Sequence, residues 1–304
     1  MRVLPPIPVT DATFTSSTIA EPDTGEAVWT AGTYNTGVKR INTTTHRVYE
    51  VVAIPSTGDD PTIGVLATPA TWVDIGPTNK WAMFDDVIGT VSTENLTLTV
   101  VLDPDKVVNG VAGFNISGAT SINVTMTDPA EGVVYNNNLS MLDNSSVIDY
   151  YEYFFEPIVN ITSFVLLDLP AYIHATTSFT VNGSANVSVG TFVYGNQVSL
   201  GVTNHGTGLQ LLDFNIKERD AFGNFKVTTD RRTAKMVDYD VTIPTNKIGY
   251  VYNTLANLTT KAAVWVGTSD TDDSTLVYGY YRNMNINIGA PTISSATINI
   301  EGLV

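Results

Sequence analysis

Thr97-Leu98-Thr99-Val100-Val101-Leu102, the turn Asp103-Pro104-Asp105, then Val107-Val108-Asn109-Gly110-Val111-Ala112-Gly113-Phe114, Ser121-Ile122-Asn123-Val124-Thr125-Met126-Thr127 and Gly132-Val133-Val134-Tyr135 decide the fold. Short β-branched runs punctuated by Pro, Gly, Asn and Asp are the strand-and-hairpin signal of an antiparallel sandwich, and a jelly roll is the natural architecture. Asn160 to Leu167, Thr176 to Val181 and Asn186 to Tyr194 supply its remaining strands.

Upstream, Pro77-Thr78-Asn79-Lys80-Trp81-Ala82-Met83-Phe84-Asp85-Asp86 is a dense apolar and aromatic block ending in two carboxylates. It marks the entry to the sandwich, which gives the division 1–25, 26–76, 77–195 and 196–304. Residues 1–25 carry four Pro and little periodicity, the pattern of an extended arm that docks on a neighbour or stays disordered. Residues 26–76 read as a small β module and 196–304 as a C-terminal β domain with one helix at about 245–260. That helix starts at Thr245 and lines up Ile248, Val251, Tyr252, Leu255 and Leu258 at helical spacing. The run from Tyr150 to Pro157 reads as a strand with Tyr151, Tyr153 and Phe155 on one face. Glu152 and Glu156 would then lie roughly 13 Å apart at a ~3.3 Å rise, beyond the ~5–9.5 Å of a glycosidase pair. The class is therefore all-β, in several modules.

Thr (43) and Asn (25) are abundant and only 15% of residues are charged, a turn-rich sheet composition. The formal charge is −15, and no Lys or Arg falls between Lys106 and Lys217. Nucleic-acid backbones need clustered cations, so a nucleic-acid partner is not expected. No run approaches the ~18 apolar residues of a membrane helix, and the first residues lack a signal-peptide core, so membrane insertion is not expected either. Without Cys, thiol chemistry and disulfides are excluded. Ten Asn-x-Ser/Thr triplets occur, many as Asn-apolar-Thr/Ser, the alternation that a strand with one wet face produces.

Three His, at 46, 174 and 205, fall in different modules. No nucleophile elbow, zinc-helix motif, phosphate loop or dinucleotide fingerprint is present, so catalysis is not expected. Six of the fifteen cations (Lys217, Arg219, Lys226, Arg231, Arg232 and Lys235) crowd into 19 positions, interleaved with Glu218, Asp220 and Asp230. A hairpin turning at Gly223-Asn224 would display them as an edge guard or as a subunit contact.

Three resemblances extend this reading. Trp29, Tyr34, Gly37, Val48-Tyr49-Glu50-Val51-Val52 and Trp72 resemble a small chitin-binding or cellulose-binding module, which implies that Trp29, Tyr34 and Trp72 stack a sugar ring unless they form its core. The sandwich following the aromatic block resembles a galactose-binding-like jelly roll. Its calcium loop would fall at Asp85 and Asp86, so a structural calcium is the one cofactor implied, against a plain solvated turn. Finally, dispersed blocks along nearly the whole chain resemble structural tail proteins of tailed bacteriophages. These include Thr44 to Glu50, Val73 to Asp85, Tyr153 to Ile158, Asp220 to Asn224 and Tyr278 to Arg282. That likeness implies a non-enzymatic virion component in the tail, collar or baseplate, with copies of itself and other tail proteins as partners. The alternative it leaves is an exposed receptor-binding protein that grips host surface glycan.

Overall fold

The computed structural model describes residues 1–53, 56–143, 147–155, 159–219, 222–223, 225–229, 233–268 and 273–303. The protein is all-β, built from antiparallel sheets with one helix of any length at its C-terminal end.

The sandwich is one six-stranded sheet in the order Gly132–Ser140, Gly110–Asp128, Thr176–Gly195, Ser92–Leu102, Phe14–Ser17, with Phe164–Leu166 added beside Gly110–Asp128. Its two central strands run 19 and 20 residues, far beyond the usual five or six, and pair along nearly their whole length. They bend midway, where the register slips between Gly183 and Ser188. Gly118 sits there at φ 71°, and a Cβ on it would lie 2.2 Å from the Asn186 carbonyl oxygen. The bend folds the sheet over its own apolar face, so that Val124, Met126, Phe179 and Val181 share one core with Val111, Val189, Phe192 and Tyr194. The expected antiparallel sandwich is present, its two layers coming from a single curled sheet of six strands.

The second large sheet has eight strands. Its order is Val198–Ser199, Arg2–Leu4, Ala263–Val266, Leu276–Asn287, Ile293–Gly302, Thr233–Pro244 and Val202–Thr203, with Gly208–Asp213 on the same edge of Thr233–Pro244. Alternation along its strands feeds two cores, because successive side chains leave opposite faces. Leu4, Val264, Val266, Leu276 and Tyr278 pack on Ala112, Phe114 and Val193 of the sandwich. Val3, Ala263, Trp265 and Val277 face the other way, toward Val251, Leu255 and Leu258. Val251 and Leu255 belong to the helix Ile248–Ala256, which follows a 3-10 turn at Thr245–Lys247, and Leu258 lies in the turn just after it. The expected helix and its buried stripe are present, while Tyr252 is solvent-exposed. Thr245 caps nothing; its hydroxyl bonds the Ala290 carbonyl and Ser294 instead.

The first 25 residues are not a separate arm. Arg2–Leu4 is an inner strand of the C-terminal sheet, paired with Val264–Val266 on one side and Val198–Ser199 on the other. Phe14–Ser17 is an edge strand of the sandwich, and Ile19 is buried in its core. The proline-rich composition misled because only Pro5, Pro6 and Pro8 lie between these pieces, carrying the chain from one sheet to the other. The sandwich and the C-terminal sheet also share a core across residue 195, so an apolar interface joins what the sequence suggested as separate domains.

Residues 26–76 form a three-stranded sheet, Lys39–Asn42, Arg47–Val51 and Trp72–Pro77, with a two-residue ladder between Thr33–Tyr34 and Ser56–Thr57. Eight of the ten Asn-x-Ser/Thr asparagines, from Asn42 to Asn186 and excepting Asn144, lie on strands; Asn144 is outside the described residues and Asn257 follows the helix.

Candidate interaction site

Trp29, Tyr34 and Trp72 do come together, with Trp72 in the interior of the small module and Trp29 and Tyr34 partly buried over it. Trp72 is 1% exposed and packs with Tyr49 and Val51, while Trp29 and Tyr34 close over them. Tyr34 meets Trp72 edge-on at 5.7 Å, donates its hydroxyl to the Thr30 carbonyl at 2.7 Å, and carries the Arg40 guanidinium over its ring. A stacking platform needs open ring faces, and Trp72 offers none.

Asp85 and Asp86 do different work. Asp85 closes its own turn, accepting from the Val87 amide at 2.9 Å and the Thr90 hydroxyl at 2.6 Å. Asp86, at φ 61°, accepts the Tyr278 hydroxyl at 2.7 Å and so ties the entry to the sandwich to the C-terminal sheet. Burial and then this bond hold the Tyr278 hydroxyl well above the usual phenol range. No group of three or more His, Asp or Glu side chains is arranged to hold a metal ion among the described residues.

The charged hairpin forms as expected from Ile216–Arg219 and Phe225–Thr229, with Glu218 opposite Lys226, Arg219 opposite Phe225 and Gly223 at φ 86° in the turn. Lys217 pairs with Asp213. Lys235 lies on a different strand and donates to the Leu276 carbonyl at 3.2 Å. Arg231 and Arg232 fall outside the described residues, as do Asp220, Ala221, Asn224 and the acidic run 269–272. The six cations are therefore not one ladder, since the structure divides those it describes between two sheets.

Two clusters escaped the sequence reading. The first centres on Glu21, whose side chain is 6% exposed. It accepts from His46 Nδ1 at 2.9 Å, from the Thr78 hydroxyl at 2.8 Å and from Trp81 Nε1 at 3.1 Å. His46 lies flat on Trp81 at 4.1 Å, and its Nε2 faces Asp11 at 2.9 Å. Beside them, Asn79 receives the Thr93 amide at 2.8 Å and gives its own backbone amide to Glu26 at 3.0 Å. The block from Pro77 onward is thus a buckle joining the N-terminal segment, the small module and the sandwich. Its acid and imidazole are committed to holding these pieces. Glu21→Ala strands three donors at a largely buried site and is expected to cost about 3 kcal/mol in urea denaturation. An unchanged midpoint would show that the buckle holds nothing.

The second is the helix Tyr150–Phe155, at the tip of a loop whose neck is the ladder Leu142–Asp143 with Val159–Asn160. Tyr150, Tyr151, Tyr153, Phe154 and Phe155 are all 69–86% exposed, and Ile148 is 86% exposed. Tyr151 and Phe155 touch at 4.8 Å and Tyr153 and Phe154 at 5.2 Å, so the rings group with one another and not with the body of the protein. The expected strand is a helix because Asp149 caps it, accepting from the Tyr151 and Glu152 amides at 2.7 and 3.0 Å, while Glu152 reaches back to the amides of Ile148 and Asp149. This is a reciprocal capping box, legible as Asp149-x-x-Glu152 before an aromatic run.

Comparisons with protein-family models, with characterised proteins and with solved structures find no match. Fold and surface alone define the class: an all-β protein with an exposed aromatic helix at a loop tip.

Proposed function

We propose that this chain is a non-enzymatic structural subunit that assembles with copies of itself, in the setting of a tailed-phage virion and its neighbouring tail proteins. The observation that carries this reading is the exposed aromatic helix. Monomeric soluble proteins rarely leave so much contiguous apolar surface in water. Five aromatic side chains of ~200 Å² each, about 70% exposed, offer on the order of 700 Å², close to the ~800 Å² each partner contributes to a stable interface.

The occupant argued for is a second copy. The helix lies in the stretch without Lys or Arg and carries Asp149 and Glu152. The sequence from 217 to 235 holds six cations against three carboxylates, and Phe222 in the hairpin turn is 90% exposed. Helix to hairpin is a contact between unlike surfaces, which repeats into a ring or a filament.

The test is light scattering coupled to size exclusion across a concentration series. Wild-type protein is expected to associate, less so at high salt, and Tyr151→Ser with Phe154→Ser is expected to give monomer with unchanged thermal stability. A wild-type chain that stays monomeric at all concentrations would sink the reading.

A further inference from the structure

We propose that the seam between the sandwich and the C-terminal sheet holds a binding site for a single pyranose sugar ring. A cavity of about 290 Å³ opens there, where Pro6 to Val9 crosses from one sheet to the other. At about 30 Å³ per water, that is the space of roughly ten waters, room for one hexose-sized ring. Its apolar wall includes Pro6 and the rings of Phe84 and Phe192, which meet edge-on at 6.5 Å. Its polar lining is Asp86, Thr191, Thr260, Lys261 and Tyr280.

Three features point to a ligand. Thr191 is 2% exposed and its hydroxyl has no hydrogen-bond partner among the described residues, a costly arrangement that an incoming polar group would relieve. Asp86 is solvent-exposed with its Oδ1 fixed by Tyr278, and its Oδ2, without a partner among the described residues, is free to accept from a ligand. Lys261 makes no ion pair among the described residues, although the chain holds twice as many carboxylates as cations.

The chemistry selects the class. A pyranose has an apolar C–H face for the wall of Pro6 to Val9 and the partly exposed Phe84 ring, with Phe192 buried behind it, and a rim of hydroxyls that both donate and accept. The fixed carboxylate accepts a hydrogen bond from a sugar hydroxyl, Lys261 donates to a ring-edge oxygen, and Thr191 serves either role. Asp86 repels a phosphate or an acid, and an apolar amino acid would leave Thr191 without a partner. This site shares no residue with the Trp29, Tyr34 and Trp72 cluster, and it does not depend on the assembly reading.

The experiment is saturation-transfer NMR followed by calorimetric titration, using the methyl glycosides of glucose, galactose, mannose and N-acetylglucosamine. A ligand of a dozen or so heavy atoms at modest efficiency should bind in the millimolar range. Thr191→Val and Lys261→Met are each expected to weaken it about tenfold or more without moving the thermal midpoint. Lys261 is exposed, so its variant tests the site even if Thr191→Val disturbs folding. The Tyr151→Ser, Phe154→Ser protein is expected to bind as wild type does, which separates this site from assembly. Three results overturn the proposal: no binding by any of the four sugars, binding unaffected by Lys261→Met, or binding lost only in Trp29→Ala.

Discussion

Leu4→Asp is expected to abolish cooperative folding, and Leu4→Ala to cost about 2–5 kcal/mol. Leu4 is fully buried in the core shared by the two large sheets, on a strand paired with neighbours on both sides. The surroundings are built to its shape. A Cβ on Gly110 would come within 2.9 Å of Leu4 Cδ1, and one on Gly195 would meet the Pro5 carbonyl oxygen at 2.1 Å. An unpaired carboxylate in such a place costs several kcal/mol, a large share of the roughly 5–15 kcal/mol that holds a domain together. Urea denaturation followed by tryptophan fluorescence and by far-UV circular dichroism should report one shared loss. A Leu4→Ala midpoint within error of wild type would mean that the N-terminal strand is an ornament.

Gly118→Ala carries the second large effect, expected at about 3 kcal/mol or more. Two costs combine at this site. At φ 71° any side chain adds backbone strain of about 1 kcal/mol or more, and the new Cβ would press on a backbone oxygen that cannot rotate away. Gly132→Ala provides the comparison, because it has a similar φ of 80° but nothing within 4 Å of its Cβ. It should cost only the strain, about 1 kcal/mol. Equal losses at the two positions would refute the account of the bend as a close crossing of two strands.

Strands and turns were legible because period-two alternation and turn chemistry are local. The runs at Thr97 to Leu102 and Ser121 to Thr127 fall inside observed strands, and the hairpin at Gly223 turns where its residues say. The helix at Ile248 was legible from spacing alone. The helix at Tyr150 was not, since its aromatic run fits a strand equally well and only the capping box tells them apart. The aromatic trio at Trp29, Tyr34 and Trp72 was correctly grouped, yet whether its rings face water depends on what covers them. Glu21 gave no signal, because its partners His46, Thr78 and Trp81 lie 25 to 60 positions away.

Local pattern therefore established the all-β class, the acidic surface, most strand positions and the Pro77 to Asp86 junction. Long-range packing decided the rest. It placed Arg2 to Leu4 inside a sheet whose other strands lie nearly 200 residues and more downstream, and it curled one sheet into two layers. It also brought Asp86, Thr191 and Lys261 around one cavity. Alternation fixes which residues want to be buried, but not which distant surface buries them.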